Sequence, residues 1–223
     1  MSPSVLPQST PKRAPEFRRR LLAWFRRAGR DLPWRRTRDP YRVLVSEFML
    51  QQTQVARVLQ FYPRFLERYP DLAALARAPA RRVREAWDGL GYYRRAANLH
   101  RLAREVMATR GGRLPGDPEA LRALPGVGPY TAGAVAAFAF ERPVAAVDTN
   151  VRRVLRRAFS CEPAKAEETV QLLQPRRGKT AWTFNQALME LGALVCTARA
   201  PKCPECPVSR YCDWYLASGG GNK

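Results

Sequence analysis

Lysine and histidine are nearly missing from this chain. Its 223 residues hold one histidine, His100, and five lysines: Lys12, Lys165, Lys179, Lys202 and Lys223. No amine nucleophile of the Schiff-base kind is therefore available between positions 12 and 165. Acidic residues are also few, 19 Asp plus Glu against 39 Lys plus Arg, for a net charge of +20. No apolar run approaches the ~18 residues of a spanning helix, which excludes an integral helical membrane protein. The opening MSPSVLPQSTPKRAPEF lacks the apolar stretch of a secretory signal. Five cysteines, four of them crowded near the C-terminal end, do not make a secreted disulfide framework. An apolar share of 46% excludes wholesale disorder. A cytoplasmic protein is expected.

What the chain has in excess is arginine. Residues 13–42 alone hold 11 Arg against Glu16, Asp31 and Asp39. Neutralising phosphates releases counterions, so such a chain favours a polyanionic partner. The basic residues are scattered over many segments rather than gathered beside one lipid-facing helix, which favours nucleic acid over a membrane surface.

Residues 1–15, rich in Pro, Ser and Thr, read as a disordered tail. A helix is expected from about Pro15 to Gly29, and DLPWRRTRDP with its two prolines reads as a loop. Tyr41, Leu44, Val45, Phe48 and Met49 recur at i, i+3, i+4, i+7 and i+8, the spacing of an amphipathic helix. Helical patterns follow at about 54–68, 71–77, 80–88, 92–109 and 117–123. Without an alternating strand anywhere, the pattern predicts an all-α fold of short helices.

Two segments carry chemistry. PEALRALPGVGPYTAGAVAAF, residues 118–138, reads as helix, Pro-Gly-Val-Gly turn and second helix. Gly126 and Gly128, flanking Val127, allow a tight turn and the close approach of another chain. The free N–H groups of the following helix then face outward, where a phosphate oxygen fits. Such a grip touches DNA backbone rather than base edges. Cys196, Cys203, Cys206 and Cys212 form C-x6-C-x2-C-x5-C. Four thiolates this close suit a [4Fe–4S] cluster, or a structural zinc ion. Zinc sites usually pair two short knuckles, and only one is present here, which favours iron–sulfur. Arg199 and Lys202 lie on the first inter-cysteine loop, poised toward DNA. Cys161 reads as a small buried hydrophobe.

Together with DLPWR, SEFMLQQTQV, GLGYYRRAANLH, AVDTNVRRVL and FNQALMELGALVC, these segments resemble the helix-hairpin-helix (HhH-GPD) DNA glycosylases, most closely the MutY-type adenine branch. The resemblance spans about residues 17–214. It implies a six-helix barrel domain at 35–145, carrying the hairpin, and a discontinuous iron–sulfur domain from 16–34 plus 146–223. It implies a monomer acting in base excision repair near the nucleoid, on double-stranded DNA with a mismatched or damaged base.

The resemblance assigns Glu47 as the acid that protonates adenine and Asp148 as the carboxylate facing the sugar. Breaking an N-glycosidic bond needs both, one carboxyl kept neutral and one kept ionised. Glu47 lies at the border of its helix's apolar stripe, about 60° from Leu44 at ~100° per residue. Asp148 reads independently as a helix N-cap. Endonuclease III-type relatives place a Lys where this chain has Tyr130, so a monofunctional enzyme without strong lyase activity is expected. By the same resemblance Tyr130 and Asn150 steady the sugar, and Gln52 and Tyr92 wedge into the duplex as the base is extruded. Arg30, Leu32, Trp34 and Arg35 line the base pocket, where Gln186 contacts the flipped base. Eleven residues after Cys212 leave no room for the 8-oxoguanine-recognition domain of MutY-type enzymes. That keeps a thymine or uracil mismatch glycosylase open as an alternative. A non-catalytic DNA-binding protein is disfavoured by the two carboxylates, and a glycosylase-lyase by Tyr130.

Overall fold

The computed structural model describes residues 12–220, all of whose regular structure is helical. In chain order the helices are α1 (Ala14–Ala28), α2 (Pro40–Leu50), α3 (Val55–Arg68), α4 (Leu72–Arg77), α5 (Ala80–Ala86) and α6 (Arg94–Arg110). There follow α7 (Pro118–Arg122), α8 (Pro129–Ala139), α9 (Thr149–Phe159), α10 (Ala166–Leu173), α11 (Gly178–Leu194) and α12 (Asp213–Ala217). No described helix is long and apolar enough to cross a membrane.

Most of the expected tail, residues 1–11, lies outside the described residues. The rest is not tail. α1 begins at Ala14, with Pro15 in its first turn, where the missing N–H has no partner to lose. Arg13, just ahead of it, is paired with Asp213 at 2.5 Å and donates to the Ala158 carbonyl at 3.1 Å.

The chain divides into two compact units. One comprises Asp31–Phe140; the other joins the described residues up to Arg30 with those from Glu141 onward. These borders fall four to five residues before those expected at 34/35 and 145/146. The reason is local packing. Trp34, in a 3-10 turn, meets the Tyr62 ring edge-on at 5.4 Å and so belongs with α3. At the other border, Ala146 N–H donates to Asn185 Oδ1 at 3.0 Å, and Asn185 Nδ2 donates to the Val144 carbonyl.

In the 31–140 unit, α2 is the central element and packs against α3, α6 and α8. Asp39 caps it, its Oδ1 accepting from Arg42 N–H at 2.8 Å. Every residue from Val43 to Met49 is buried, so α2 is embedded on nearly all sides. α8 is apolar all round, with Thr131–Ala139 buried, and its small residues let α2 and α7 come close. In the second unit, α11 is the axis and packs against α1 and α9. Phe17 and Leu21, Val151 and Leu155, and Phe184, Leu188 and Leu191 close its core. Each such side chain contributes about 2 kcal/mol on leaving water.

Candidate functional site

Glu47 is the buried carboxyl of α2. It is 4% exposed and sits inside the buried run Val43–Met49, deeper than the border of the apolar stripe that its spacing from Leu44 suggested. Tyr130 is half-buried in the first turn of α8.

Asp148 belongs to the other unit and caps α9. Its Oδ1 accepts from Val151 N–H at 2.7 Å, and its Oδ2 accepts from Asn150 Nδ2 at 2.9 Å. Both carboxylate oxygens are thus held in place by donors at the helix start. Asn150 is itself oriented, because its Oδ1 accepts from Arg153 Nη2 at 2.7 Å. Arg153 also donates to the carbonyls of Gly192 and Cys196, each at 2.7 Å. A glycine at 192 is required, since a Cβ there would sit 2.7 Å from the Asn150 Cβ. Arg153 is a residue the sequence reading missed; nothing in VRRVLRRAF separates it from its solvated neighbours.

Of the residues expected to line a base pocket, Arg30 forms a fork with Glu190, Nε to Oε1 at 2.8 Å and Nη2 to Oε2 at 2.9 Å. Glu190 is fully buried and also accepts from the Arg30 N–H. This partner was likewise missed, although an acid in the apolar run ALMELGAL was a signal of burial with a base. Gln186, 5% exposed, lies on the same helix. Leu32 and Trp34 are buried and Arg35 is half-buried, all three in the 31–140 unit.

The turn between α7 and α8 has the expected form. Gly126 has φ +76°, and a Cβ there would approach Asn98 Cβ to 2.6 Å. Gly128 has open space where its Cβ would be. Val127 is buried beneath them. Gln52 and Tyr92 are exposed, Tyr92 by 60%, rather than packed in the core. His100 is buried in α6, with no partner at Nε2 among the described residues.

All four clustered cysteines line one small apolar-walled pocket, with Arg157, Val195 and Trp214 beside them. None forms a disulfide. Burial pushes the Cys206 thiol up to about 12 and raises Cys203 and Cys212, with the neighbouring thiols adding to the shift. Such a group ionises together only around a cation. Arg157 borders this site, donating to Cys196 Sγ at 3.4 Å and to the carbonyls of Thr197 and Ala198. It thereby shapes the loop that leaves Arg199 and Lys202 exposed. Cys161 is buried away from the cluster pocket, its Sγ 3.1 Å from Thr169 Oγ1.

The chain is 48% identical over 202 residues to the adenine DNA glycosylase of Mycobacterium tuberculosis, covering 87% of this chain and 66% of that one. It thus spans just under two-thirds of that relative's length. The structure of a thermostable thymine-DNA glycosylase superposes with a TM-score of 0.86 at 34% identity, covering 92% of this chain and 98% of the other. An endonuclease III in a non-covalent DNA complex superposes with a TM-score of 0.78 at 26% identity, covering 92% and 96%. Residues 196–212 match the iron–sulfur binding domain of endonuclease III, and a [4Fe–4S] cluster is the cofactor that the four thiols fit. Residues 45–176, more than half of the chain, match the HhH-GPD superfamily base excision DNA repair proteins, and the chain belongs to that family.

Proposed function

We propose that this protein is a monofunctional DNA glycosylase that releases adenine mispaired with 8-oxoguanine or guanine. The observation that carries the reading is the contrast between its two carboxyl groups. Glu47 is sealed in an apolar helix, whereas Asp148 accepts hydrogen bonds at a helix N-terminus. One carboxyl enclosed among apolar side chains and one held by two donors at a helix start are the two-carboxyl arrangement that glycosidic-bond cleavage uses.

In this mechanism Glu47 transfers its proton to a ring nitrogen of the extruded adenine. The N-glycosidic bond breaks and its electron pair leaves with the base. Asp148, steadied by Asn150, faces the positive charge that develops on the sugar, and Tyr130 borders it. Water adds to the anomeric carbon and gives its proton to the Glu47 carboxylate, which restores the acid and leaves an intact abasic strand. With no lysine between positions 12 and 165, no amine competes with that water. The [4Fe–4S] cluster supplies a cross-link that shapes the Arg199–Lys202 loop. The hairpin turn 126–128 grips the DNA backbone, Gln52 and Tyr92 enter the stack, and Arg30, Leu32, Trp34, Arg35 and Gln186 receive the base.

A second reading, removal of thymine or uracil opposite guanine, is supported by the likeness to a thymine-DNA glycosylase over nearly its whole length. Duplexes carrying A·8-oxoG, A·G, T·G and U·G, assayed with and without hot alkali, separate the two. Adenine release with strand breakage only after alkali is expected. Release confined to thymine or uracil overturns the adenine assignment, and breakage without alkali overturns the monofunctional one.

A further inference from the structure

Arg95, at the start of α6, is 7% exposed and has no carboxylate partner among the described residues. Its guanidinium is instead spent on backbone. Nη1 donates to the carbonyls of Phe48 at 3.0 Å and Met49 at 2.8 Å, and also to that of Gln51. Nη2 donates to Leu90 O at 3.0 Å, Gly91 O at 3.1 Å and Thr53 Oγ1 at 3.0 Å. The first group is the orphaned C-terminal end of α2 and the loop after it. The second includes the loop before α6. One planar fork thus ties together two segments some forty residues apart in sequence.

Those two loops share an unusual backbone feature. Gln52 has φ +54° and Tyr92 has φ +47°, two of only four non-glycine residues with positive φ among those described. Both side chains are exposed, and Tyr92 lies with its ring 5.5 Å from the Arg95 guanidinium while remaining 60% open to solvent. Left-handed backbone at Gln and Tyr persists only where the surroundings impose it. Trp87, fully buried, has its ring 5.5 Å from the same guanidinium and anchors the fork to the core. Lysine, a point charge with three donors, cannot reproduce this planar arrangement.

We infer that Arg95 is a positioning residue that locks the loops at 51–53 and 90–92 into one rigid element, so that Gln52 and Tyr92 enter a duplex together. The inference rests on reading those two residues as the duplex wedge. Extruding a paired base requires unstacking, and a wedge split over two independent loops would yield instead of pushing.

The test compares Arg95→Lys with Gln52→Ala and Tyr92→Ala. Single-turnover excision is measured on a mismatch that the wild type processes, first in a duplex and then with the same target base in an unpaired bubble. Hydrogen exchange is followed in the free protein. Arg95→Lys is expected to slow duplex excision about 10²-fold, the cost of an ångström-scale misplacement, while bubble excision changes less than about threefold. Amides at 51–54 and 89–93 are expected to exchange faster together, with the middle of α2 and α6 still protected. Equal loss on both substrates, no loss on either, or faster exchange at one loop alone overturns the proposal. Loss in both Ala variants with full duplex activity in Arg95→Lys rejects the clamp and keeps the wedge. Full duplex activity in both Ala variants rejects the wedge, and the proposal with it. Should Arg95→Lys fail to fold, Thr53→Val removes a single acceptor and carries the same comparison with a smaller ratio.

Discussion

Asn150 donates from Nδ2 to Asp148 Oδ2 at 2.9 Å, two residues apart at the start of one helix. The carboxylate is thereby held from one side by a side-chain amide and from the other by the Val151 N–H. It can be both a cap and an anion aimed at a sugar, because the two oxygens have separate partners.

This separates structure from chemistry at one position. Asp148→Asn keeps a good N-cap and changes the melting temperature little, whereas Asp148→Ala costs about 1 kcal/mol of stability. Both are expected to lose at least about 10²-fold in excision, the scale of removing one group that stabilises a transition-state charge. Thermal melts and single-turnover assays on the two variants check this, and near-wild-type turnover in Asp148→Asn would rule out the assigned role.

Glu47→Gln preserves the shape and burial of α2 but removes the transferable proton. DNA affinity is expected to stay within about threefold while excision falls about 10²–10⁴-fold, the usual worth of a general acid. Filter binding and base release on the same preparation give the two numbers.

Arg153 reaches from Asn150 to the carbonyls of Gly192 and Cys196, so it orients the Asp148–Asn150 pair and ties it to the start of the cysteine loop. Arg153→Met is expected to destabilise the protein by about 2 kcal/mol, since hydrogen bonds to charged groups contribute about 1.5–3 kcal/mol each and their partners are left unsatisfied. Excision at saturating DNA should fall as well. Denaturant unfolding and single-turnover rates test both, and unchanged turnover would disconnect Arg153 from the site.

The two hairpin glycines are expected to respond differently to alanine. Gly126→Ala meets Asn98 and a left-handed φ, so it lowers stability as well as DNA affinity. Gly128 has φ −86° and open space, so Gly128→Ala should melt like wild type and yet bind DNA more weakly. A melt beside a binding isotherm separates them.

Removing the cluster, by chelation of iron or by Cys206→Ala, leaves buried thiols whose ionisation nothing balances. Visible iron–sulfur absorbance is expected to disappear, and amides from about residue 196 to 217 to lose protection, while α2–α8 keep theirs. Exchange mass spectrometry reads this directly; unaltered protection around the cysteines would deny the cluster its structural role.

The helices were largely legible before any coordinates. Their apolar spacing is local, and Pro40, Pro118 and Pro129 mark first turns where proline is tolerated. The hairpin was equally open to reading, because Gly126 and Gly128 announce a turn by themselves. Glu47 was harder. Its spacing placed it at the edge of the apolar face, yet α2 is enclosed on nearly every side and carries the carboxyl inside with it. Arginine was opaque: among 34, Arg95, Arg153 and Arg157 bind carbonyls brought from elsewhere in the chain, and no local pattern distinguishes them from the solvated majority.

From the order of its residues alone this protein is helical, arginine-rich, free of a central lysine and equipped with four spaced thiols, since composition and short-range periodicity need no partner to be read. Folding decided which acid is desolvated and which guanidinium joins two loops into one. The Arg95–Met49 hydrogen bond joins residues 46 positions apart along the chain, and only tertiary packing brings such a pair within 3 Å.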